Sequence, residues 1–252
     1  MAEDRFDGQV VLVTGGANGI GAALCRELAR RGAQLVVADV DEPAGEAVVA
    51  EVGGVFTMCD VADPAHSERA VAYAVERFGG LDVVHLNAGV TTGCGVGDDF
   101  DLARYRRAMS INLDGVVFGV HAAIPALRAR GGGRIVATAS LAGLVAVPGE
   151  PIYAANKHAV VGLVRSLGPA LEPDGIRINA LCPGFADTTI VDEIRPVLAE
   201  MGVPIIPVPE VVTAAMALLG SQGTGECWCV QAGRASEPFH FRGVPGPRPA
   251  GD

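Results

Sequence analysis

Lysine is almost missing from this chain: of 19 basic side chains, Lys157 alone is not an arginine. Acidic residues number 29, which leaves a net charge of −10. A general nucleic-acid binder needs a basic face, and that charge balance excludes one. It leaves room for a nucleotide cofactor, because backbone amides at a helix N-terminus hold phosphates without basic side chains. The six cysteines, at 25, 59, 94, 182, 227 and 229, form no zinc-type pair of pairs, and no other metal site is expected. No secretory segment is recognised, so they are expected to be reduced thiols of a cytoplasmic protein, mostly core fillers. Cys227 and Cys229 would face one side of a buried strand. No apolar run is read as long enough for a membrane span, and no membrane association is expected. No repeat and no linker divides the 252 residues, so a single domain is expected over 1–252.

What is present is an alternation. Short β-branched runs at 9–15, 34–40, 54–61, 81–89, 133–140, 176–184 and 227–233 read as strands. Most are apolar throughout, the pattern of strands buried on both faces of a parallel sheet. Helical patterns fall between them, at 17–31, 42–51, 63–79, 101–130, 151–172 and 208–220. The reading is an α/β fold, a doubly wound parallel sheet of about seven strands flanked by helices. The segment 187–208 mixes a short amphipathic helix with Pro-interrupted apolar residues, as a lid over a site would. The Pro- and Gly-rich tail, 233–252, is expected to be irregular.

The first strand runs into "TGGANGIG" (14–21), with Gly15, Gly19 and Gly21 spaced T-G-x-x-x-G-x-G. A strand, a glycine turn and a helix bring backbone N–H groups to a pyrophosphate. Asp39 ends the second strand about 20 residues further on, where a carboxylate accepts from a ribose diol and repels a 2′-phosphate. No Lys or Arg lies in the glycine loop, so NAD is expected over NADP. Asp39 could equally cap the next helix, as could Asp41. Asp60 sits where adenine could be held, or could cap a helix starting near Asp63.

In "YAANK", Tyr153 and Lys157 are four apart and share one face of a helix. Oxidising an alcohol requires removal of its hydroxyl proton, and a phenol with its ordinary pKa near 10 is a poor base at neutral pH. A nearby cation favours the phenolate. A serine hydroxyl, Ser140, can bind the substrate oxygen as charge develops on it. Asn112 lies inside a helical pattern that does not favour asparagine, which points to another job. Each has a bland alternative: a buried structural tyrosine, a serine that ends a strand, a tolerated asparagine. His85, on an apolar strand, reads as a core or edge histidine.

Together these residues resemble the short-chain dehydrogenase/reductase family: Thr14-Gly-x-x-x-Gly19-x-Gly21, Asp39, Asp60, Asn87-Ala-Gly89, Asn112, Ser140, Tyr153-x-x-x-Lys157 and Pro183-Gly184-x-x-x-Thr188. They follow the family's order and spacing from about residue 8 to 232. The resemblance implies a Rossmann-type fold with Tyr153 as catalytic acid/base. It implies Lys157 on the nicotinamide ribose and tuning Tyr153, Ser140 positioning substrate, and Asn112 holding a water that links Lys157 to solvent. Asn18, Ile20, Val40, Val61, Asn87, Ala88, Gly89, Pro183 and Gly184 would border the cofactor, and Thr188 its carboxamide. One departure is Leu86, where the family has an asparagine. The long helices 101–130 and 151–172 would form a homodimer or homotetramer interface.

The runs around Ser140 and Tyr153 most resemble NAD-dependent alcohol oxidisers, such as 15-hydroxyprostaglandin, hydroxysteroid and bacterial secondary-alcohol dehydrogenases. Ala142, Val147, Glu150 and Phe185 would face a hydrophobic alcohol or ketone, with Val90 and Thr91 beside them. Glu150 stands where the prostaglandin enzyme has a glutamine; it could bind a polar group or face solvent. Arg195 is the one lid arginine that could meet a substrate carboxylate, with a solvated surface role the simpler reading. The expected activity is NAD-dependent alcohol oxidation, reversible as ketone reduction. An NADPH-dependent reductase and a non-catalytic NAD(H)-binding regulator are the alternatives.

Overall fold

β1 (Val10–Thr14) is buried along its whole length, and its residues alternate between two cores: Val10 and Leu12 on one side of the sheet, Val11 and Val13 on the other. That alternation is why the strand sequences are apolar at every position. The computed structural model describes residues 5–243. After β1 come α1 (Gly19–Arg30), β2 (Gln34–Asp39), α2 (Glu42–Val52), β3 (Val55–Met58), α3 (Pro64–Phe78) and β4 (Val83–Leu86). The second half holds α4 (Leu102–Met109), α5 (Gly115–Ala129), β5 (Gly133–Thr138), α6 (Pro151–Leu171), β6 (Ile176–Pro183), α7 (Arg195–Glu200), α8 (Val208–Gly220), β7 (Cys227–Val230) and β8 (Glu237–Pro238).

The strands form one sheet in the order β3-β2-β1-β4-β5-β6-β7-β8, parallel except for β8. Helices α3, α5 and α6 pack on one face, and α1, α2 and α8 on the other. The chain leaves β1 toward β2 and returns on its other side as β4. The crevice beyond the C-terminal ends of β1 and β4 is therefore the switch point where such sheets bind ligands.

Helix starts follow the sequence. Asp41 accepts from the Ala44 amide at 3.1 Å and caps α2; Asp63 accepts from Ala65 at 2.9 Å and caps α3. The capping alternative thus belongs to Asp41 and Asp63 rather than to Asp39 and Asp60.

The structure departs from the sequence reading in three places. The helix expected over 101–130 is broken by a π-helical turn at Ser110–Asp114, centred on buried Asn112. The sheet has eight strands, because part of the tail adds β8 antiparallel to β7. Phe241 then stacks under the Arg165 guanidinium at 3.7 Å; residues 244–252 lie outside the described residues. Finally, Leu102–Ala129 is long and apolar enough, by length and composition, to cross a membrane. Its apolar residues Val116, Val120, Ala123 and Leu127 are buried against the sheet core.

Candidate active site

The glycine loop is built against the end of β4. The Thr14 hydroxyl accepts from the amides of Asn87 at 3.0 Å and Ala88 at 3.3 Å. Gly15 has φ +63°, and a Cβ there would lie 2.8 Å from the Ala88 Cα, so no other residue fits. A Cβ at Gly21 would come within 2.0 Å of the Gly15 carbonyl. The N-cap Asn18 makes no capping bond with its side chain, and the first turn of α1 carries no acid. Its amides are thus left to an anion, and this cradle fits a pyrophosphate.

Asp39 ends β2, half-buried, with Oδ2 accepting from the Ala17 amide at 2.9 Å and Oδ1 from Val40 at 2.7 Å and Asp41 at 3.1 Å. The carboxylate therefore ties the glycine loop to β2. Val40 is exposed beside it, and Ile20 half-buried within α1. Asp60 accepts from the Ala62 amide at 3.0 Å, and Val61 packs against Gly115. The Thr188 methyl would meet a Cβ on Gly19 at 3.1 Å, so the end of β6 is folded back onto the glycine loop. Gly184 donates to Val230 and fixes that return.

Tyr153 and Lys157 project from the first turns of α6, and Ser140 from the loop after β5. Ser140 Oγ accepts from the Ala142 amide at 3.1 Å and donates to the Pro183 carbonyl at 3.3 Å. Burial pushes the Tyr153 phenol above its ordinary pKa; the nearby Ser140 hydroxyl pulls it down, and the Glu150 carboxylate raises it. Lys157 Nζ stands 5.7 Å from the ring centre and donates to the Thr138 carbonyl at 2.9 Å. Burial pushes the ammonium down to about 8.

Asn112 reaches the same place. Its Oδ1 accepts from the Val90 amide and its Nδ2 donates to the Val90 carbonyl, each at 2.8 Å. A Cβ on Gly89 would meet Asn112 Oδ1 at 3.2 Å and Lys157 Nζ at 3.5 Å, so the three residues converge. Each polar atom of the Asn112 side chain makes one bond to Val90 and keeps further capacity, Nδ2 a second N–H and Oδ1 a second lone pair.

Sequence reasoning missed Thr138, whose carbonyl holds Lys157 and whose hydroxyl donates to Asn87 Oδ1 at 3.2 Å. His85 belongs to this chain of bonds: its Nε2 is 2.9 Å from Thr138 Oγ1, and Asn87 Nδ2 donates to the Gly15 carbonyl at 3.1 Å. Because the Thr138 hydroxyl donates to Asn87, it must accept from His85, which fixes the Nε2–H tautomer. Burial pushes His85 down to about 4. A threonine in a strand gives no sequence signal for this; only the β4–β5 register reveals it.

Of the residues expected to face a substrate, Ala142 is buried, Val147 half-buried and Phe185 exposed just before the 187–208 segment. In the 187–208 segment Ile190, Ile194, Val197 and Met201 are exposed apolar residues. Arg195 pairs with Asp187 at 2.7 Å and Asp192 at 2.9 Å, all three side chains being exposed. Glu150 does not face solvent freely: burial raises its carboxyl, which faces the backbone amides of Gly93 and Thr92.

A family model described as short chain dehydrogenase matches residues 9–198. The chain is 34% identical over 198 residues to a cyclohexanol dehydrogenase of Acinetobacter sp. (strain SE19), covering 77% of this chain and 79% of that one. It is 37% identical over 190 residues to a 3-alpha-(or 20-beta)-hydroxysteroid dehydrogenase of Mycobacterium bovis (strain ATCC BAA-935 / AF2122/97), covering 75% and 73%. Its fold is similar to the crystal structure of levodione reductase, with TM-score 0.84 and 33% identity over 91% of this chain and 98% of that chain.

Proposed function

Because the chain belongs to the short-chain dehydrogenase family, whose members bind a nicotinamide cofactor, we propose that it is an NAD(H)-dependent oxidoreductase interconverting a hydrophobic secondary alcohol and its ketone. The observation that carries this reading is the convergence of buried Lys157 with Tyr153, Gly89 and Asn112 at the end of β4, next to the glycine cradle.

When bound, the nicotinamide accepts or supplies the hydride. The chain's residues handle everything else. Gly15, Asn18, Gly19 and Ile20 would receive the pyrophosphate on the first turn of α1. Asp39 and Val40 would meet the adenosine ribose, and the carboxylate favours NAD by repelling a 2′-phosphate. Asp60, Val61, Asn87, Ala88 and Gly89 would border the adenine and its ribose. Lys157 would hold the nicotinamide ribose, and Pro183, Gly184 and Thr188 its carboxamide side. The phenolic oxygen of Tyr153 gives its proton to the carbonyl oxygen in reduction and takes it back in oxidation. The Ser140 hydroxyl orients that oxygen and stabilises the charge that develops on it. Asn112 acts by holding the Val90 backbone and the space beside Lys157.

Ala142, Val147 and Phe185, with the apolar lid, support a hydrophobic substrate, and the names of the cyclohexanol and hydroxysteroid relatives point the same way. We further propose a homo-oligomer assembled through the α5 and α6 faces, in the cytoplasm, where the six unpaired cysteines stay reduced.

The test is a panel of cyclic and steroidal alcohols and ketones with each cofactor, read by absorbance of the reduced nicotinamide. Turnover of secondary alcohols with NAD is expected. Faster turnover with NADP at equal concentration would replace the NAD reading. NADH binding without turnover of any panel member would replace catalysis with a regulatory role.

A further inference from the structure

His66 lies in the first turn of α3, and its ring reaches back past the helix start, where Nδ1 accepts from the Asp60 amide at 2.9 Å. Asp63 already caps this helix, so the ring is not needed as a cap. An imidazole nitrogen that accepts carries no proton, so the proton sits on Nε2, which stands 3.7 Å from Asp63 Oδ2. That carboxylate favours the tautomer that can accept from Asp60. The bond ends a run of contacts along the C-terminal ends of the strands. Asp39 Oδ2 accepts from Ala17 in the glycine loop, and the Asp39 carbonyl accepts from the Cys59 amide at 2.9 Å. Asp60 comes next, its carbonyl accepting from the Asp63 amide at 3.1 Å and its Oδ1 from Ala62 at 3.0 Å. With the amide on His66, both backbone groups of Asp60 are engaged. Oδ2 of this exposed residue has no hydrogen-bond partner among the described residues.

We propose that His66 is a positioning residue for the cofactor: by holding the Asp60 backbone, it keeps the free carboxylate oxygen set to accept from the exocyclic amine of adenine. This rests on the NAD(H) reading above, in which Asp60 borders the adenine, and adds the residue that aims it. Adenine carries that amine as an edge donor, whereas hypoxanthine has a carbonyl there. An ionised carboxylate only accepts, so it bonds the first base and repels the second. An exposed side chain discriminates in this way only when it is held in place beforehand, because otherwise ordering it offsets the bond it makes. Cys59 is held on one side by Asp39, and α3 is started on the other by Asp63. His66 supplies the side-chain bond between those two anchors. Asparagine could replace it, since its Oδ1 stands where the ring has Nδ1; alanine and phenylalanine offer no acceptor.

The experiment measures Kd for NADH and for its hypoxanthine analogue on the whole protein, from the fluorescence of the reduced nicotinamide. The wild type should bind NADH tighter by about tenfold. His66→Ala should reduce that preference by about threefold or more, mostly by weakening NADH. His66→Asn should keep it near the wild-type value. His66→Phe keeps a ring and loses the acceptor, so it should behave as the alanine variant does and replaces it if that variant fails to fold. A role confined to stability would weaken both ligands equally and leave their ratio unchanged; that result overturns the proposal and leaves the NAD(H) reading intact. Equal binding of the two ligands by the wild type overturns the adenine contact and the proposal with it. No binding of NADH by the wild type overturns both readings.

Discussion

Lys157 and Tyr153 share a face of α6, yet the Lys157 ammonium is bonded to the Thr138 carbonyl at 2.9 Å and stands 5.7 Å from the centre of the Tyr153 ring. The two are neighbours through the cleft rather than partners. The lysine's fixed contact is with the end of β5, next to Asn112 and Gly89. A compact ammonium on a flexible stem can hold that carbonyl and still present protons to a ribose diol; a planar guanidinium cannot fit there. Lys157→Arg should therefore lower kcat by about a hundredfold or more, with the fold retained. Steady-state rates and far-UV circular dichroism test this together, and wild-type-like turnover would sink the assignment of Lys157.

Tyr153 carries a second expectation. Its phenol is pushed up by burial and by Glu150, with the nearby Ser140 hydroxyl acting the other way. A phenol with a raised pKa stays protonated through neutral pH, so it is ready as an acid and reluctant as a base. Ketone reduction should be flat over about pH 6–8, while alcohol oxidation should climb steadily through the same range. Tyr153→Phe should abolish both and leave NADH binding largely intact. An oxidation rate that levels off below about pH 7 would show that the phenol is not the base.

Asp39 combines two functions that one substitution can separate. Its Oδ2 holds the Ala17 amide and its Oδ1 the Val40 and Asp41 amides, while under the proposed function the carboxylate charge would select against a 2′-phosphate. Asp39→Asn removes the charge and keeps one of the two acceptor oxygens, setting its NH2 against a backbone amide on the other side. The ratio of kcat/KM with NAD to that with NADP should fall by about tenfold, with a loss of thermal stability of about 1–3 kcal/mol from the lost loop bond. An unchanged cofactor ratio would mean that Asp39 serves the loop alone.

Much of this was legible because its causes are local. Apolar runs buried on both faces announce parallel strands, and Gly15 and Gly21 are glycines for steric reasons that act within a few residues or against one neighbouring strand. The misfit of Asn112 in a helical pattern pointed to a job other than helix building, but the π turn itself was hidden, because the apolar periodicity of 101–130 runs through it unbroken. β8 was hidden because two residues, one of them a proline, carry no strand pattern. Thr138 was invisible for a different reason. Its importance depends on which strand lies beside it, and a threonine looks the same in any strand.

His85 gives the last prediction, and its sign follows from burial. The ring is fully enclosed and its pKa is pushed from 6.5 down to about 4, with Nε2–H held by Thr138 and Nδ1 unpartnered. Between those two values the unfolded chain takes up a proton that the folded His85 refuses. Unfolding is thus favoured increasingly as pH falls through that window, by on the order of 3 kcal/mol at its lower end. Above the unfolded value the group contributes no slope. Glutamine at this position can still donate to the Thr138 hydroxyl and does not titrate, so His85→Gln should be less sensitive to acid than the wild type. The lowered carboxyls of Glu27 and Asp82 also make the fold acid-sensitive, but they are common to both proteins and cancel in the difference. Denaturant unfolding at a series of pH values measures that difference. Parallel curves for the two proteins between about pH 4 and 6.5 would mean that His85 is not neutral in the folded state.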